Sequence, residues 1–82
     1  MIRSVRGRLT AIEAGGVVVE VGGVGLLLRL SATSAVALPP VGQEVALAAH
    51  LVVRDDALDL YGFTGASERE LFEALVGVSG VG

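Results

Sequence analysis

The chain has 82 residues, of which 52% are hydrophobic and 4% aromatic, with six arginines, no lysine, no cysteine and a net charge of −3. A chain of this length forms one small domain, and its abundance of valine, leucine and alanine excludes a disordered tail. It contains no apolar stretch of the roughly 20 residues that a membrane-spanning helix needs, and its acidic balance argues against DNA binding, which depends on positive charge.

Three strands in a meander open the chain, and we expect them at Ile2–Ile12, Gly16–Val21 and Val24–Leu30. Glycines between these apolar runs permit the positive φ that tight turns require. In the first strand Arg6 and Arg8 alternate with less polar residues, which is the period of two that a half-buried strand shows.

A short helix is expected at Ser31–Leu38, because the following Pro39-Pro40 pair disfavours further helix. A fourth strand at Glu44–Val53 and a fifth at Ala57–Phe63 complete the pattern. Five strands with a helix between the third and the fourth are the order of the OB-fold, a Greek-key barrel often used to bind nucleic acid. We therefore predict an all-β, five-stranded OB-fold barrel over residues 1–64, followed by one C-terminal helix.

The periodicity becomes helical after residue 65. Ser67 and Glu70 have the spacing of a capping box, in which each side chain hydrogen-bonds the backbone N–H of the other residue. The helix should end near Gly77. An apolar stripe at helical spacing is expected to pack against the rest of the protein, and it consists of Leu71, Phe72, Leu75 and Val76.

Six short segments stand out in order along the chain: Arg6–Leu9, Val21–Gly25, Leu51–Ala57, Leu60–Phe63, Glu68–Phe72 and Gly80–Gly82. Each is weak alone, but together, over the whole chain, they resemble the bacterial RuvA family of Holliday-junction-binding proteins. The resemblance implies an OB-fold domain over residues 1–64, with residues 65–82 forming the first helix and hairpin of a helix-hairpin-helix domain that continues beyond them. It also implies a homotetramer on four-way junction DNA, acting with the RuvB motor and the RuvC resolvase in recombination and repair.

Asp55 and Asp56 lie at the expected tip of the hairpin between the fourth and fifth strands. By themselves they are typical of a solvated turn. The resemblance implies an acidic pin, with which each subunit of a planar tetramer points two carboxylates at the centre of the junction. A carboxylate and a phosphate ~4 Å apart repel by about 1 kcal/mol in bulk water and about 4 kcal/mol at an effective dielectric near 20. Arg54, beside the pair, either contacts a phosphate or holds the two carboxylates apart.

The last five residues, Val78–Gly82, have two interpretations. As a bare pattern they are a glycine helix stop. The resemblance makes them a hairpin in which Ser79, Gly80 and Gly82 bring backbone N–H groups to a phosphate oxygen. Most basic residues that the family uses on DNA would follow later, which accounts for the acidic balance and implies weak DNA binding by this stretch alone.

Two other functions stay open from the residues themselves. Asp55, Asp56 and Asp59 are carboxylates of the kind that hold Mg²⁺ in phosphodiesterases, although no lysine supports such a site. The other is a barrel that only oligomerises or binds protein. ATP hydrolysis is excluded because the phosphate-binding loop of ATPases needs a lysine. We expect no catalytic residue, metal or cofactor, and a cytoplasmic location, in keeping with the absence of cysteine and of a signal-peptide pattern.

The remaining aromatic and basic residues are expected to have structural roles. Tyr61 and Phe63 are assigned to core packing rather than to base stacking, and His50 has no second histidine or cysteine with which to share a metal. Solvated strand faces are expected for Arg3, Arg6, Arg8 and Arg29.

Overall fold

The computed structural model describes residues 1–79, and the side chains through residue 77. Its elements, in chain order, are β1 (Ser4–Glu13), β2 (Gly16–Val21), β3 (Val24–Leu30), α1 (Ala32–Val36), β4 (Glu44–Val53), β5 (Leu58–Phe63) and α2 (Ala66–Ser79). The strands close into a barrel in the order β1-β2-β3-β5-β4, with β4 paired to β1. Of the five strand pairs in the described residues, four are antiparallel, and the pair of β3 with β5 is parallel. The predicted OB-fold order is confirmed, as are the bounds of the second, third and fourth strands.

Strand β1 is shared between two neighbours, and this sharing closes the barrel. Its first half, residues 4–8, pairs with β4, whereas residues 8–13 pair with β2, with a bulge between Leu9 and Ala11. A Cβ atom at Gly7 would lie 2.2 Å from the carbonyl oxygen of Glu20. Because no real Cβ tolerates that distance, the close approach of β1 and β2 requires glycine at position 7.

Aliphatic side chains from all five strands fill the barrel. Along β1, β2 and β4 buried residues alternate with more exposed ones, as expected for a sheet with one face toward a core. This core consists of Val5, Leu9, Val17, Val19, Leu28, Val45, Leu47, Ala49 and Leu60, and the buried Phe63 lies outside it. Because the interior is packed with side chains, a surface for a binding partner can lie only on the loops and outer faces of the barrel.

A buried polar group links α1 to α2. Ser31 caps the N-terminus of α1, where its Oγ accepts from the backbone N–H of Ser34 (3.1 Å). Ser34 is fully buried, accepts from the backbone N–H of Thr64 (3.1 Å) and donates to Glu68 Oε1 (2.5 Å), while Ser31 Oγ donates to Glu68 Oε2 (2.6 Å). Hydrogen bonds from Ser31 and then Ser34 hold the pKa of the Glu68 carboxyl below its ordinary value, against the opposing effect of burial.

The predicted capping box at the start of the C-terminal helix is wrong. Helix α2 begins at Ala66, so Ser67 lies inside the first turn and cannot act as the N-cap. The acidic residue of that turn with a structural role is Glu68, which bonds two serines from another part of the chain. A tertiary contact therefore replaces the local one that the spacing of Ser67 and Glu70 indicated.

Helix α2 docks on the barrel through a mixed aromatic and ionic seam. The ring of Phe72 lies 5.0 Å from Tyr61, 5.3 Å from Phe63 and 5.5 Å from His50, centroid to centroid. Beside it, Glu73 Oε2 lies 2.7 Å from Arg3 Nη1 and 2.9 Å from His50 Nδ1. Tyr61 and Phe63 pack, as expected, but against α2 on the outer face rather than in the barrel core. Arg3 is an ion-pair partner of α2 rather than only a solvated strand residue.

The apolar stripe predicted for α2 is only partly correct. Phe72 and Val76 are half-buried, but Leu71 and Leu75 are each 61% exposed. The docked face instead includes Arg69, which donates to the carbonyl oxygen of Arg3 (2.9 Å). The docked face therefore combines Phe72 and Val76 with polar contacts, and Leu71 and Leu75 lie beside it in solvent. Within residues 1–79, neither helix is long and apolar enough to cross a membrane.

Replacement of Ser34 by alanine should destabilise the fold, because Thr64 N–H and Glu68 both lose a buried partner. We expect the free energy of unfolding to fall by about 1–3 kcal/mol, the usual cost of an unpaired buried polar group. Ser67→Ala is the matched control, since this exposed serine should contribute less than about 0.5 kcal/mol. Urea unfolding followed by circular dichroism measures both variants, and equal losses would contradict the assignment.

The Glu68 interaction should also make stability depend on pH. Because the pKa of Glu68 is lower in the folded chain than its ordinary value of 4.5, its stabilisation is complete above that value and is lost as pH falls through the folded pKa. Glu68→Gln should therefore be less stable than the parent chain at neutral pH, and the gap should narrow in acid. Urea unfolding at a series of pH values tests this, and a gap that is constant down to pH ~3 would rule out the linkage.

Candidate nucleic-acid interface

The acidic pair lies at the tip of the β4–β5 hairpin. The two strands pair in register from Ala48 with Phe63 to Val53 with Leu58, and the loop closes where Arg54 N–H donates to the carbonyl oxygen of Ala57 (2.8 Å). Asp55 and Asp56 occupy the turn between those two residues, and both are exposed. The predicted position of the pair at a hairpin tip is confirmed.

The tip stands beyond the packed part of the barrel. The last paired residues, Val53 and Leu58, are 57% and 69% exposed. They lie on the same strand faces as the buried Ala49 and Leu60, which are farther from the turn. Across residues 1–79, neither Asp55 nor Asp56 forms an ion pair or a side-chain hydrogen bond. The tip therefore carries two adjacent, solvated negative charges without a compensating cation.

A cluster of three charged residues lies just below the tip. Asp59 of β5 accepts from Arg54 through Oδ2 and from Arg29 of β3 through Oδ1 (3.3 Å). Its side chain is 16% exposed, against 48% for Arg54 and 49% for Arg29. The hydrogen bond from Arg54, followed by that from Arg29, keeps the pKa of Asp59 below its ordinary value although desolvation opposes this, and the same bond raises the pKa of Arg54. Asp59 is thus a stable carboxylate between two guanidinium groups.

This arrangement bears on one of the two roles suggested for Arg54. Its guanidinium contacts Asp59 and not Asp55 or Asp56, so the interpretation that it holds the two tip carboxylates apart is wrong. Arg29, expected to be simply solvated, instead pairs with Asp59. A phosphate contact by Arg54 stays a prediction.

The geometry does not favour the alternative of a magnesium-dependent phosphodiesterase. That hypothesis needs Asp55, Asp56 and Asp59 to converge on one cation, but Asp59 is directed to two arginines and away from the tip. Among the described residues, no group of three or more histidines, cysteines, aspartates or glutamates is arranged to hold a metal ion.

The second predicted phosphate site lies at the end of α2. The helix continues past Gly77, where it was expected to stop, and Ser79, expected in the hairpin, is the last described residue and is still helical. Gly80 and Gly82 lie outside the described residues. The hairpin interpretation of this segment is therefore still a prediction.

Sequence analysis did not predict the ion pair between Asp59 and Arg54, although the spacing of these residues across the hairpin indicated it. In the hairpin register, Val52 faces Asp59 across the strands, and Arg54 lies two positions along on the same face. Residues in that diagonal relation are close enough for long side chains to meet. The contribution of Arg29 had no such signal, because it depends on the parallel pairing of β3 with β5.

Comparison with known proteins places the chain among relatives of one kind. Residues 1–62 match the family model described as the RuvA N-terminal domain. Over its whole length, the chain is 48% identical to the Holliday junction branch migration complex subunit RuvA of Chloroflexus aurantiacus and 50% identical to that of Thermomicrobium roseum. It is 50% identical, over 80% of its length, to the subunit of the same name from Chloroherpeton thalassium. The chain spans only 42%, 43% and 33% of these three relatives, respectively.

Proposed function

The chain belongs to the RuvA family, and from that membership we propose that it forms part of a non-catalytic subunit that recognises four-way DNA junctions and supports branch migration. The curated relatives are named as subunits of a Holliday junction branch migration complex, which supports this proposal. The observation that carries it is the exposed pair Asp55-Asp56, alone at the end of a hairpin and free of any cation among the described residues.

The tip acts by repulsion. Its carboxylates are adjacent in the chain, and their effect on DNA is short in range, because salt at physiological strength screens charges beyond ~8 Å. Continuous duplex held against the tip would bring phosphates within this range and be disfavoured. At the centre of a junction the strands diverge, so the tip fits between them and favours their separation. Each subunit of a homotetramer would contribute one such tip.

Attraction to DNA is assigned to other groups. We place Ser79, Gly80 and Gly82 at a backbone phosphate site, where residues 65–82 open a helix-hairpin-helix domain. The exposed Leu71 and Leu75 support that assignment, because an apolar helix side in solvent is typical of a helix that packs against more protein. Arg54 is a weaker phosphate contact, since Asp59 already balances much of its charge.

The proposed partners follow from the family. The RuvB motor would supply the ATP hydrolysis for which this chain has no lysine, and the RuvC resolvase would act on the same junction, in recombination and repair. We place the complex in the cytoplasm, without a cofactor of its own. The alternative of a barrel that only oligomerises leaves the exposed acidic tip without a role.

The test of the tip is the double variant Asp55→Asn with Asp56→Asn in the full-length protein. Loss of the repulsion should tighten binding to plain duplex about tenfold, the equivalent of about 1.4 kcal/mol, and should lower the preference for a junction over duplex. Fluorescence anisotropy with labelled junction and duplex, at low and at physiological salt, measures both affinities.

The matched control is Glu20→Gln with Glu44→Gln, which removes the same formal charge near the opposite end of β4. It should leave the ratio of junction to duplex affinity unchanged. Duplex affinity and branch migration that are unaltered in the Asp55/Asp56 variant would refute the proposed role of the tip.

A further inference from the structure

The tip is uncompensated even though a guanidinium group lies next to it in the chain. Arg54 directly precedes Asp55, and its side chain is long enough to turn toward either tip carboxylate. It nevertheless lies along the outer face of the hairpin, in contact with Asp59. Its other neighbour, Tyr61, is uncharged at neutral pH. Without Asp59, the nearest carboxylates along the chain for its five N–H donors would therefore be Asp55 and Asp56.

We propose that Asp59 is a positioning residue that holds Arg54 back from the tip, so that Asp55 and Asp56 meet DNA with their charge unmasked. The placement of Arg54 stands on the geometry of this chain alone. Its consequence for DNA rests on the proposed function.

The surroundings of Asp59 explain why it is the preferred partner of Arg54. The side chain of Asp59 is 16% exposed, whereas both tip residues are exposed. Asp59 is also held by Arg29, so it gives up less conformational freedom on pairing than a solvated turn residue does, and pairs between freely exposed side chains contribute little. Asp59 therefore offers the more stable of the available partners.

Arg29 reinforces this arrangement from the other side. Its Nε donates to Oδ1 of Asp59, which leaves Oδ2 for Arg54, so the two guanidinium groups do not compete for one oxygen. The hydrogen bonds from Arg54 and Arg29 favour the ionised carboxyl of Asp59, in agreement with its lowered pKa. The cluster of Arg29, Asp59 and Arg54 thus joins β3, β5 and the end of β4, and it orients the side chain of Arg54, the last residue before the tip.

A measurement without DNA tests the placement of Arg54. In the chain labelled with ¹⁵N-arginine, the Nε–Hε signal of Arg54 should not move on Asp55→Asn with Asp56→Asn. In an Asp59→Val background, which removes both acceptor oxygens and suits a strand, the same tip substitutions should shift that signal. Asp59→Glu should restore the insensitivity. An Arg54 signal that ignores the tip in the Asp59→Val background would overturn the proposal.

Duplex affinity of the full-length protein tests the consequence. Asp59→Val should tighten duplex binding about threefold, as one freed guanidinium compensates part of the tip charge. Adding Arg54→Gln should return the affinity to that of the parent protein. The double variant of Asp59→Val with Arg29→Gln has the same formal charge as that of Asp59→Val with Arg54→Gln. It leaves Arg54 free, however, so its affinity for duplex should stay as high as that of Asp59→Val.

These two double variants separate the proposal from a general effect of charge or stability. If both reverse the effect equally, net charge alone is responsible and the positioning role is overturned. Thermal unfolding identifies any variant that is not folded, and if Asp59→Val is not folded, Asp59→Asn, which keeps the size of the side chain and removes its charge, carries the comparison. Should the Asp55/Asp56 variant itself leave duplex binding unchanged, the proposed function fails, while the arginine signal still decides whether Asp59 positions Arg54.

Discussion

The pairing register of β4 with β5 is the constraint on which the docking of α2 and the acidic tip both depend. In a strand, alternate residues face opposite sides, so a slip of one residue would exchange every inward side chain for an outward one. The observed register directs Leu47 and Ala49 of β4 and Leu60 of β5 into the barrel. On the outer face it aligns three pairs: Ala48 with Phe63, His50 with Tyr61, and Val52 with Asp59.

That outer face has two functions along its length. Near the barrel, the rings of His50, Tyr61 and Phe63 form the surface on which Phe72 of α2 packs. Nearer the turn, the same face carries Asp59 and Arg54. The pairing that seats the helix therefore also fixes the charged cluster below the tip, and the position of Asp55-Asp56 is coupled to the packing of the core.

The distribution of charge reconciles an acidic chain with a DNA-binding family. Four of the six arginines bond within the chain, and these are Arg3, Arg29, Arg54 and Arg69. These contacts hold α2 and the β4–β5 hairpin in place and balance much of the positive charge of the four arginines. The tip carboxylates, in contrast, have no such partner among the described residues. On our proposal these residues discriminate between junction and duplex DNA. Attraction to DNA comes from parts that correspond to the rest of the relatives, since the chain spans 42% of the Chloroflexus aurantiacus subunit.

Local patterns in the sequence predicted the barrel and the position of the tip, but they did not predict contacts between residues that are distant in the chain. Alternation and glycine turns are local, which is why the bounds of β2, β3 and β4 were correct. The partners of Glu68, in contrast, lie 34 and 37 residues away, so the spacing of Ser67 and Glu70 indicated a cap that the helix does not use. Hydrophobicity likewise identified only part of the docked face of α2, Phe72 and Val76, because it cannot anticipate the ion pair between Arg3 and Glu73, 70 positions apart. The hairpin register contained the contact between Arg54 and Asp59, but the contribution of β3 required the closed barrel.

On the proposed function the tip is a repulsive element, and such an element places stricter demands on its surroundings than an attractive one does. An attractive cation can tolerate a mobile side chain, because the phosphate draws it into place. A carboxylate that must exclude DNA works only if nearby cations are prevented from neutralising it and if its position is fixed to within the short range of an unscreened charge. The hairpin meets the second demand through paired backbone up to Val53 and Leu58. The partly buried Asp59 meets the first by giving Arg54 a better partner than the solvated tip.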